Sequence, residues 1–330
     1  MNTRLGPIER FKEKRICVVG DVIADIYIYG KPHKLSREAP VLVIKYEEER
    51  VYPGSAGNTI NNLLALGAYV FPVTCVGKDA AGDRLIEHFS ARDRIDLEGL
   101  IRYEGRTVTK TRILAGDTYT SKQQVIRVDR EAERPIPDAV RAALKERLRS
   151  IIPRVDAIVL SDYEYGLIDR EIIGLAAECA RDRIVVGDSR YNLKDFKGIT
   201  LITPNESEAY ALAGLPGSRD IDEVGSRIMA FMEVRALLIT RGNKGMSLFL
   251  PDGQVRHMPI YGGDEIADVT GAGDTVAAAV TLALASGADF YDAARIANYA
   301  GGIVVMKRGT AVVSSDELRK VVDEDGSMDS

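Results

Sequence analysis

The chain has 330 residues, 45% hydrophobic and 28% charged, which suits a globular protein with a large core, in one big α/β domain or two smaller ones. Its net charge is −5 and it lacks a Lys/Arg block, which argues against nucleic acid as a partner and leaves any anionic substrate to local basic groups. Cys17, Cys75, Cys179, His33, His88 and His257 lie far apart without metal-ligand spacing, so they read as reduced thiols and solitary imidazoles of a cytoplasmic protein. The polar, charged stretch up to Arg15 predicts no signal peptide. The longest apolar helix candidate, Thr275 to Ala288, is shorter than the roughly 20 residues that span a bilayer, so no membrane partner is expected.

Arg15 to Gly20 is a short apolar run with a charged start and a Gly end, and predicts a buried first strand. Asp21 and Asp25 follow its C-terminal end, where open α/β sheets bind ligands. G-x-G-x-x-G is absent, so a dinucleotide fingerprint is not indicated. Residues 26–50 carry Pro32 and Pro40 and the strand-like Val41 to Tyr46, and predict a β excursion. Tyr52 to Asn58 predicts a Gly-rich turn entering a helix that runs to Leu66 and stops at Gly67. Asn58 and Asn62 share a face of that helix. Asparagine at a helix start is commonly a cap, but three in five residues also suit hydroxyl recognition. Val70 to Val76 predicts a strand and Ala80 to Ser90 a helix.

Arg106 to Ile113 alternates, with Arg106, Lys110 and Arg112 on one strand face, and the chain returns through Gln123 to Asp129. These are either a charged edge against aggregation or a basic lid over a phosphorylated substrate. The edge reading suits Arg106 better, the lid reading Lys110 and Arg112. From Ile136 onward helices alternate with strands at Ala157–Leu160, Ile184–Gly187, Leu201–Thr203 and Leu237–Thr240. That rhythm predicts a parallel sheet covered on both faces. The whole reads as one domain over residues 1–330, with β insertions at about 26–50 and 103–130 and a polar tail after Val322.

Asp268 to Thr275 is a glycine-rich turn running into an apolar helix. The first N–H groups of a helix lack intrahelical partners and carry partial positive charge, and glycine lets an anion approach them. With Asp274 in the same turn, the segment suits phosphoryl transfer to an alcohol. Equally, Asp274 suits plain complementation of the helix dipole. Asn205 to Glu208 matches a capping box, and Glu208 also suits a water-mediated contact to Mg²⁺ on nucleotide phosphates. Thr240 to Gly245 is a Gly turn that suits plain turn chemistry first and close approach of backbone to a nucleotide second. Small residues from Asn298 to Gly302 suit either a flat wall for an adenine ring or close helix packing. Lys307 to Thr310 reads as another turn.

Together these stretches resemble the PfkB, or ribokinase, family of carbohydrate kinases. Gly54 to Gly82 is similar to its first signature, with Asn58 at the family's sugar-binding Asn. Asp268 to Thr275 is similar to its second, D-x-T-G-A-G-D-T, and Asn205 to Glu208 to its N-x-x-E. The second signature is the most specific. The likeness runs over roughly residues 12–325. It is nearest to the bacterial kinases that phosphorylate D-glycero-β-D-manno-heptose 7-phosphate at O1, through Val18 to Val22, Ser36 to Val41, Thr109 to Arg112, Gln123-Gln124, Arg127 to Asp129, Leu160 to Tyr163 and Lys307 to Thr310.

The resemblance implies an α/β, ribokinase-like fold, with a mostly parallel sheet flanked by helices and a small β-strand lid. It implies ATP and Mg²⁺, with Asp274 as base and the backbone of Gly271, Ala272 and Gly273 as anion hole. Asn205, Glu206, Ser207 and Glu208 would serve ATP–Mg²⁺, with Thr240, Gly242, Gly245 and Asn298 around the nucleotide. Asp25, Gly54 and Asn58 would bind sugar hydroxyls, and Lys110 and Arg112 the sugar phosphate. Asp268 and Thr270 match part of a monovalent-cation site, which makes K⁺ a candidate. Lid strands in this family often pair between subunits, so a homodimer is expected. The nucleotidyltransferase domain often fused to such kinases is not expected here.

Three positions depart from the pattern. A usual Gly-Gly pair is Gly54-Ser55, a usual Lys before Gly166 is Tyr165, and a usual Asp-Pro-Lys is Asp188-Ser189-Arg190. Arg190 keeps the charge and Tyr165 does not. The alternatives are therefore a kinase of a ketose phosphate, pentose or nucleoside, or a catalytically silent sugar or nucleotide sensor on the same fold. A NAD-dependent dehydrogenase ranks third.

Overall fold

Apolar runs that end in Gly, Asp or Ser form the middle of a large sheet in the computed structural model, which describes residues 5–116, 122–131, 135–217, 220–262, 269–307 and 309–328. In chain order the strands are β1 (Arg15–Gly20), β2 (Val22–Leu35), β3 (Leu42–Ser55), β4 (Tyr69–Gly77), β5 (Leu100–Tyr103), β6 (Thr109–Ala115) and β7 (Gln123–Arg130). They continue as β8 (Ala157–Asp162), β9 (Ile184–Ser189), β10 (Leu201–Ile202), β11 (Ala236–Thr240), β12 (Met246–Phe249) and β13 (Val255–Met258). Among the described residues the main sheet has the order β13-β12-β11-β10-β9-β8-β1-β4-β5. Every pair from β5 to β11 is parallel, and β11-β12-β13 is an antiparallel meander at one edge.

Burial on both faces explains why the central strands are uniformly apolar. Ile16 and Val18 of β1 join one core with the helices Ala56–Ala65, Ala272–Ala285 and Phe290–Val305. Cys17 and Val19 point the other way, into a core with the helices Asp138–Ile151, Arg170–Cys179, Glu206–Ala213 and Ile221–Met232. The Ala-rich helix Ala272–Ala285 is buried all round from Asp274 to Leu284, which suits a helix sandwiched between the sheet and other helices. Among the described residues no helix is long and apolar enough to cross a membrane.

A second sheet, ordered β3-β2-β6-β7, leaves the main one directly after β1. β2 and β3 form an antiparallel hairpin, β2 pairs in parallel with β6, and β6 turns back antiparallel to β7. Several expectations change here. The excursion spans Val22 to Ser55, because cross-strand pairing carries β3 through the charged run Glu47–Arg50 and past Pro53 and Gly54. Tyr52 to Ser55 is therefore strand, and the helix starts only at Ala56. Asp25 lies inside β2 rather than in a loop, paired with Tyr52 and Lys110 in register.

Arg106 precedes β6, so it does not share the strand face of Lys110 and Arg112. β5, the β12–β13 hairpin and the C-terminal helix Ser315–Met328 are additions. The last replaces the expected polar tail, because Leu318 and Val322 pack into the core. Cys17 is fully buried, whereas Cys75 and Cys179 are half-buried.

Candidate active site

The Gly-rich turn opens the helix Ala272–Ala285 at the C-terminal ends of the strands. Gly271 is its N-cap, with φ 79° and ψ 7°. A Cβ there would also lie 2.2 Å from Asn58 Nδ2, so the position demands glycine twice over. The Ala272 N–H bonds to Val269 O and the Thr275 N–H to Gly271 O. Among the described residues the amides of Gly273 and Asp274 have no backbone acceptor, and a Cβ added at Gly273 would meet open space. A pair of helix-start amides thus faces an unobstructed region suited to an anion.

Asp274 follows on the first turn and is 4% exposed. Its Oδ1 accepts from Tyr163 OH at 2.8 Å and Thr59 Oγ1 at 3.1 Å, and its Oδ2 from Asn58 Nδ2 at 3.0 Å. Burial raises its pKa to about 6, against the three donors that lower it, while the charge of Asp25 raises it further. A carboxylate so held is ionised at neutral pH and still a usable proton acceptor. Behind it, Asn62 donates to Asn58 O at 3.0 Å and accepts from Thr275 Oγ1 at 3.1 Å. The clustered asparagines therefore brace the carboxylate and the helix start. Asn61 sits apart, with its Oδ1 3.2 Å from His88 Nε2.

The lid closes this region from one side. Asp25 accepts from Arg112 Nη1 at 2.5 Å, and both side chains are largely buried. A Cβ on Gly54 would lie 2.2 Å from Asp25 Oδ2, so Gly54, Asp25 and Arg112 interlock. Arg112 is thus spoken for, in contrast to the expected phosphate grip. Removing one member of such a buried pair costs about 3–5 kcal/mol. Lys110 is different: among the described residues it has no carboxylate partner, and its Nζ sits 5.7 Å above the Tyr165 ring. Burial and the nearby Arg190 charge hold its pKa below the usual range, against Asp25 and Asp129, which raise it. Arg190 in turn lies over the Tyr163 ring at 5.7 Å. Two neighbouring cations are therefore seated on two aromatic rings of one loop.

That loop is shaped by Asp21, which accepts from the backbone N–H groups of Tyr163, Tyr165 and Leu167 at 3.0, 3.2 and 3.3 Å. On the other side, Thr240, Gly242, Gly245 and Asn298 line a cavity of about 130 Å³ with Ala272 and Gly273. The Asn298 amide donates to Pro259 O at 2.7 Å, so it is a wall tied to the scaffold. A Cβ on Gly302 would lie 2.2 Å from Tyr261 O, which makes close packing one reason for the small residues there.

Asn205 and Glu208 form the capping box: Asn205 Oδ1 accepts the Glu208 N–H at 3.0 Å and Glu208 Oε2 the Asn205 N–H at 2.8 Å. Glu206 is drawn to Lys244 at 3.1 Å and Arg241 at 3.3 Å, and Ser207 donates to Asn205 Oδ1 at 2.6 Å. Neither lines the cavity.

A family model described as pfkB family carbohydrate kinase matches residues 13–317. The chain belongs to the PfkB family. It is a carbohydrate kinase, and membership implies ATP use. Bifunctional protein HldE of Geobacter metallireducens is 40% identical over 307 residues, covering 91% of this chain and 61% of its own length, so this chain spans about three fifths of such relatives. The PfkB chain also shares the ribokinase-like fold. It superposes on Arabidopsis thaliana ribokinase complexed with ribose and ATP at TM-score 0.71 and 19% identity, covering 94% of this chain and 98% of that one. Against phosphofructokinase-2 from Escherichia coli in complex with potassium the TM-score is 0.77 at 16% identity, with 94% and 99% covered.

Within this PfkB kinase the residues missed by sequence reading are Tyr163, Thr59 and Asp188. Tyr163 stands just past the C-terminal end of β8, a placement that itself signals a ligand site in an open α/β sheet. Asp188 is the penultimate residue of β9, keeps part of its surface open, and accepts from Thr203 Oγ1 at 3.3 Å. Burial, then the charges of Asp274 and Glu208, push its pKa up to about 8. Asp188, facing the charges of Asp274 and Glu208, fits Mg²⁺, which takes one or two carboxylates and keeps the rest of its shell as water and phosphate. Among the described residues no group of three or more His, Cys, Asp or Glu side chains has metal-site geometry.

Of the expected K⁺ pair, Thr270 is exposed in the turn before Gly271 and Asp268 lies outside the described residues, as does Arg308. Ser55, at the position of the family's second Gly, holds φ 56° and ψ −129°, a conformation that costs a non-Gly residue about 1–3 kcal/mol.

Proposed function

We propose that this chain, as one kinase unit with its β lid, transfers the γ-phosphoryl of ATP to a hydroxyl of a phosphorylated sugar. The sugar we assign is D-glycero-β-D-manno-heptose 7-phosphate, with O1 as the acceptor. The observation that carries the reading is a buried carboxylate with three donors, set beside two open helix-start amides and a pair of cations. Asp274 takes the proton of the accepting hydroxyl as its oxygen attacks phosphorus, and the displaced nucleotide oxygen leaves in line. Asn58, Thr59 and Tyr163 aim the carboxylate. Burial holds the Tyr163 phenol well above its ordinary pKa, with Asp274 adding to the effect, so Tyr163 remains a donor.

The amides of Gly273 and Asp274 stabilise charge on the phosphoryl oxygens. Glu208 and Asp188 would hold Mg²⁺ through its water shell, and the ion would supply charge neutralisation. Thr270, with Asp268, would take K⁺. Asp25 and Gly54 face sugar hydroxyls, while Lys110 and Arg190 take the remote phosphate.

ADP release over a panel of acceptors tests the reading. The expected order of kcat/KM places the heptose 7-phosphate first, ahead of fructose 6-phosphate, ribose and nucleosides. A preference for a ketose phosphate or a free sugar would move the assignment to another member of the class. ATP binding without turnover on any acceptor would make the protein a sensor.

The chain acts in the cytoplasm as a homodimer through its lid. Supporting this, Leu42, Tyr46, Val125, Ile126 and Val128 are exposed apolar side chains on that sheet. Light scattering should give twice the 36.1 kDa chain mass, and a monomer at micromolar concentration overturns the dimer.

A further inference from the structure

At the end of the main sheet opposite Asp274, the starts of several strands surround an open cleft of about 730 Å³. Five arginines line it: Arg15, Arg154, Arg181, Arg183 and Arg235. They come from four separate stretches, Arg181 and Arg183 sharing one. Arg15 opens β1, Arg154 and Arg183 sit just ahead of β8 and β9, and Arg235 just ahead of β11. The wall is completed by Leu284 and Ala285, the last residues of the helix that begins beside Asp274. A 14-residue helix spans about 21 Å, so the cleft and the transfer centre are well separated.

The charges in this cleft do not balance. Arg154 is paired with Asp96 and Glu98, and Arg183 Nε donates to Val155 O at 3.1 Å. Among the described residues the guanidinium groups of Arg15, Arg181 and Arg235 have no carboxylate partner. Two carboxylates, Asp156 and Asp182, also line the cleft. Asp156 accepts the backbone N–H of Arg15 at 2.8 Å instead of a guanidinium. Two of the uncompensated groups are held against rings. Arg15 lies 5.8 Å from the Tyr69 and Phe71 centroids, and Arg235 lies 5.8 Å from that of Phe290. Rings compensate a guanidinium only weakly and leave its N–H groups unpaired, and its planar fork matches phosphate oxygens.

Strand starts are often marked by solvated charges, and each arginine alone needs no other explanation. Convergence of three uncompensated ones on a concave site of small-molecule size, in a chain of net charge −5, is what that explanation leaves over. We propose that this cleft is a second anion site, distinct from the transfer centre, for a small molecule bearing a diphosphate or two phosphate groups. Its concavity and its two carboxylates disfavour a nucleic acid, whose backbone would meet a broad, uniformly basic surface.

Calorimetric titration of the full chain with inorganic pyrophosphate, in Mg²⁺-free buffer, tests the site. Wild type should bind at two sites. In the double variant Arg181→Ala/Arg235→Ala one of them should weaken about tenfold or more, with the other unchanged. Lys110→Ala should do the reverse. Both cleft arginines are exposed, so the melting temperature without anion should not move. Should the alanine pair fold poorly, Arg181→Lys/Arg235→Lys keeps the charge but loses the planar fork, and weakened binding at the same site is then expected. The proposal is overturned if pyrophosphate binds the cleft variants as it binds wild type. It is overturned equally if all binding disappears in Lys110→Ala, or if an oligonucleotide or acidic peptide occupies the cleft while pyrophosphate does not.

Discussion

Replacing Asp274 with Asn is expected to lower kcat by about 10²–10⁴-fold, the range spanned by general-base assistance. Asn is nearly isosteric and can still accept from Tyr163 and Thr59, so ATP binding measured by calorimetry should stay within a few fold of wild type. The pH profile gives an independent check. Asp274 must be ionised to act, and burial raises its pKa to about 6. In the wild type kcat/KM should therefore fall as pH drops through about 6. That limb should vanish in Asp274→Asn, leaving a low, flatter profile. Near-normal turnover in the variant, or an unchanged acidic limb, would sink the assignment. Tyr163→Phe removes one of the three donors and should shift the limb upward in pH, because a lost hydrogen bond to the carboxylate favours its protonated form.

The second large effect is expected at Lys110. Lys110→Ala should raise KM for a phosphorylated acceptor about 10–100-fold, as expected for a charge-assisted contact worth roughly 1.5–3 kcal/mol, and leave kcat at saturation comparatively intact. Any activity on free sugars should not change. Arg112→Ala is a poorer probe, because it strands the Asp25 carboxylate and perturbs β2 and β6 together. Retention of the Lys110 effect in Tyr165→Phe, and its partial loss in Tyr165→Ala, would show that the ring seats the ammonium. Equal loss on phosphorylated and free sugars would refute the phosphate-binding role.

The parts legible before folding were the ones with local causes. Glycine at 271 is required by its own φ, and the Asn205–Glu208 capping box by hydrogen bonds between residues three apart. The strands β1, β4, β8, β9 and β11 declare themselves as short apolar runs buried on both faces. Thr240, Gly242, Gly245 and Asn298 were grouped by likeness to the family, and they do line one cavity. Glu206 and Ser207 lie inside the same motif as Asn205 and Glu208, but their side chains bond to Lys244 and to Asn205. The extent of the β2–β3 hairpin escaped because its charged residues look like a loop until each strand supplies the other's hydrogen bonds. That the Asn58 amide donates to Asp274, 216 residues away, is legible only in the folded chain.

The sequence by itself determined the family, the parallel α/β architecture and the glycine-rich turn ahead of the helix Ala272–Ala285, since these rest on periodicity and on a motif that is contiguous in the chain. The tertiary structure alone decided how the carboxylate is tuned and where charge is free. Burial raises the pKa of Asp274, and donors on the helix Ala56–Ala65 and the loop after β8 hold it back. Arg112 and Lys110 sit two residues apart on one strand face, yet one is neutralised by Asp25 and the other rests on Tyr165. Desolvation and the identity of the nearest opposite charge set those differences, and both depend on neighbours remote in the chain.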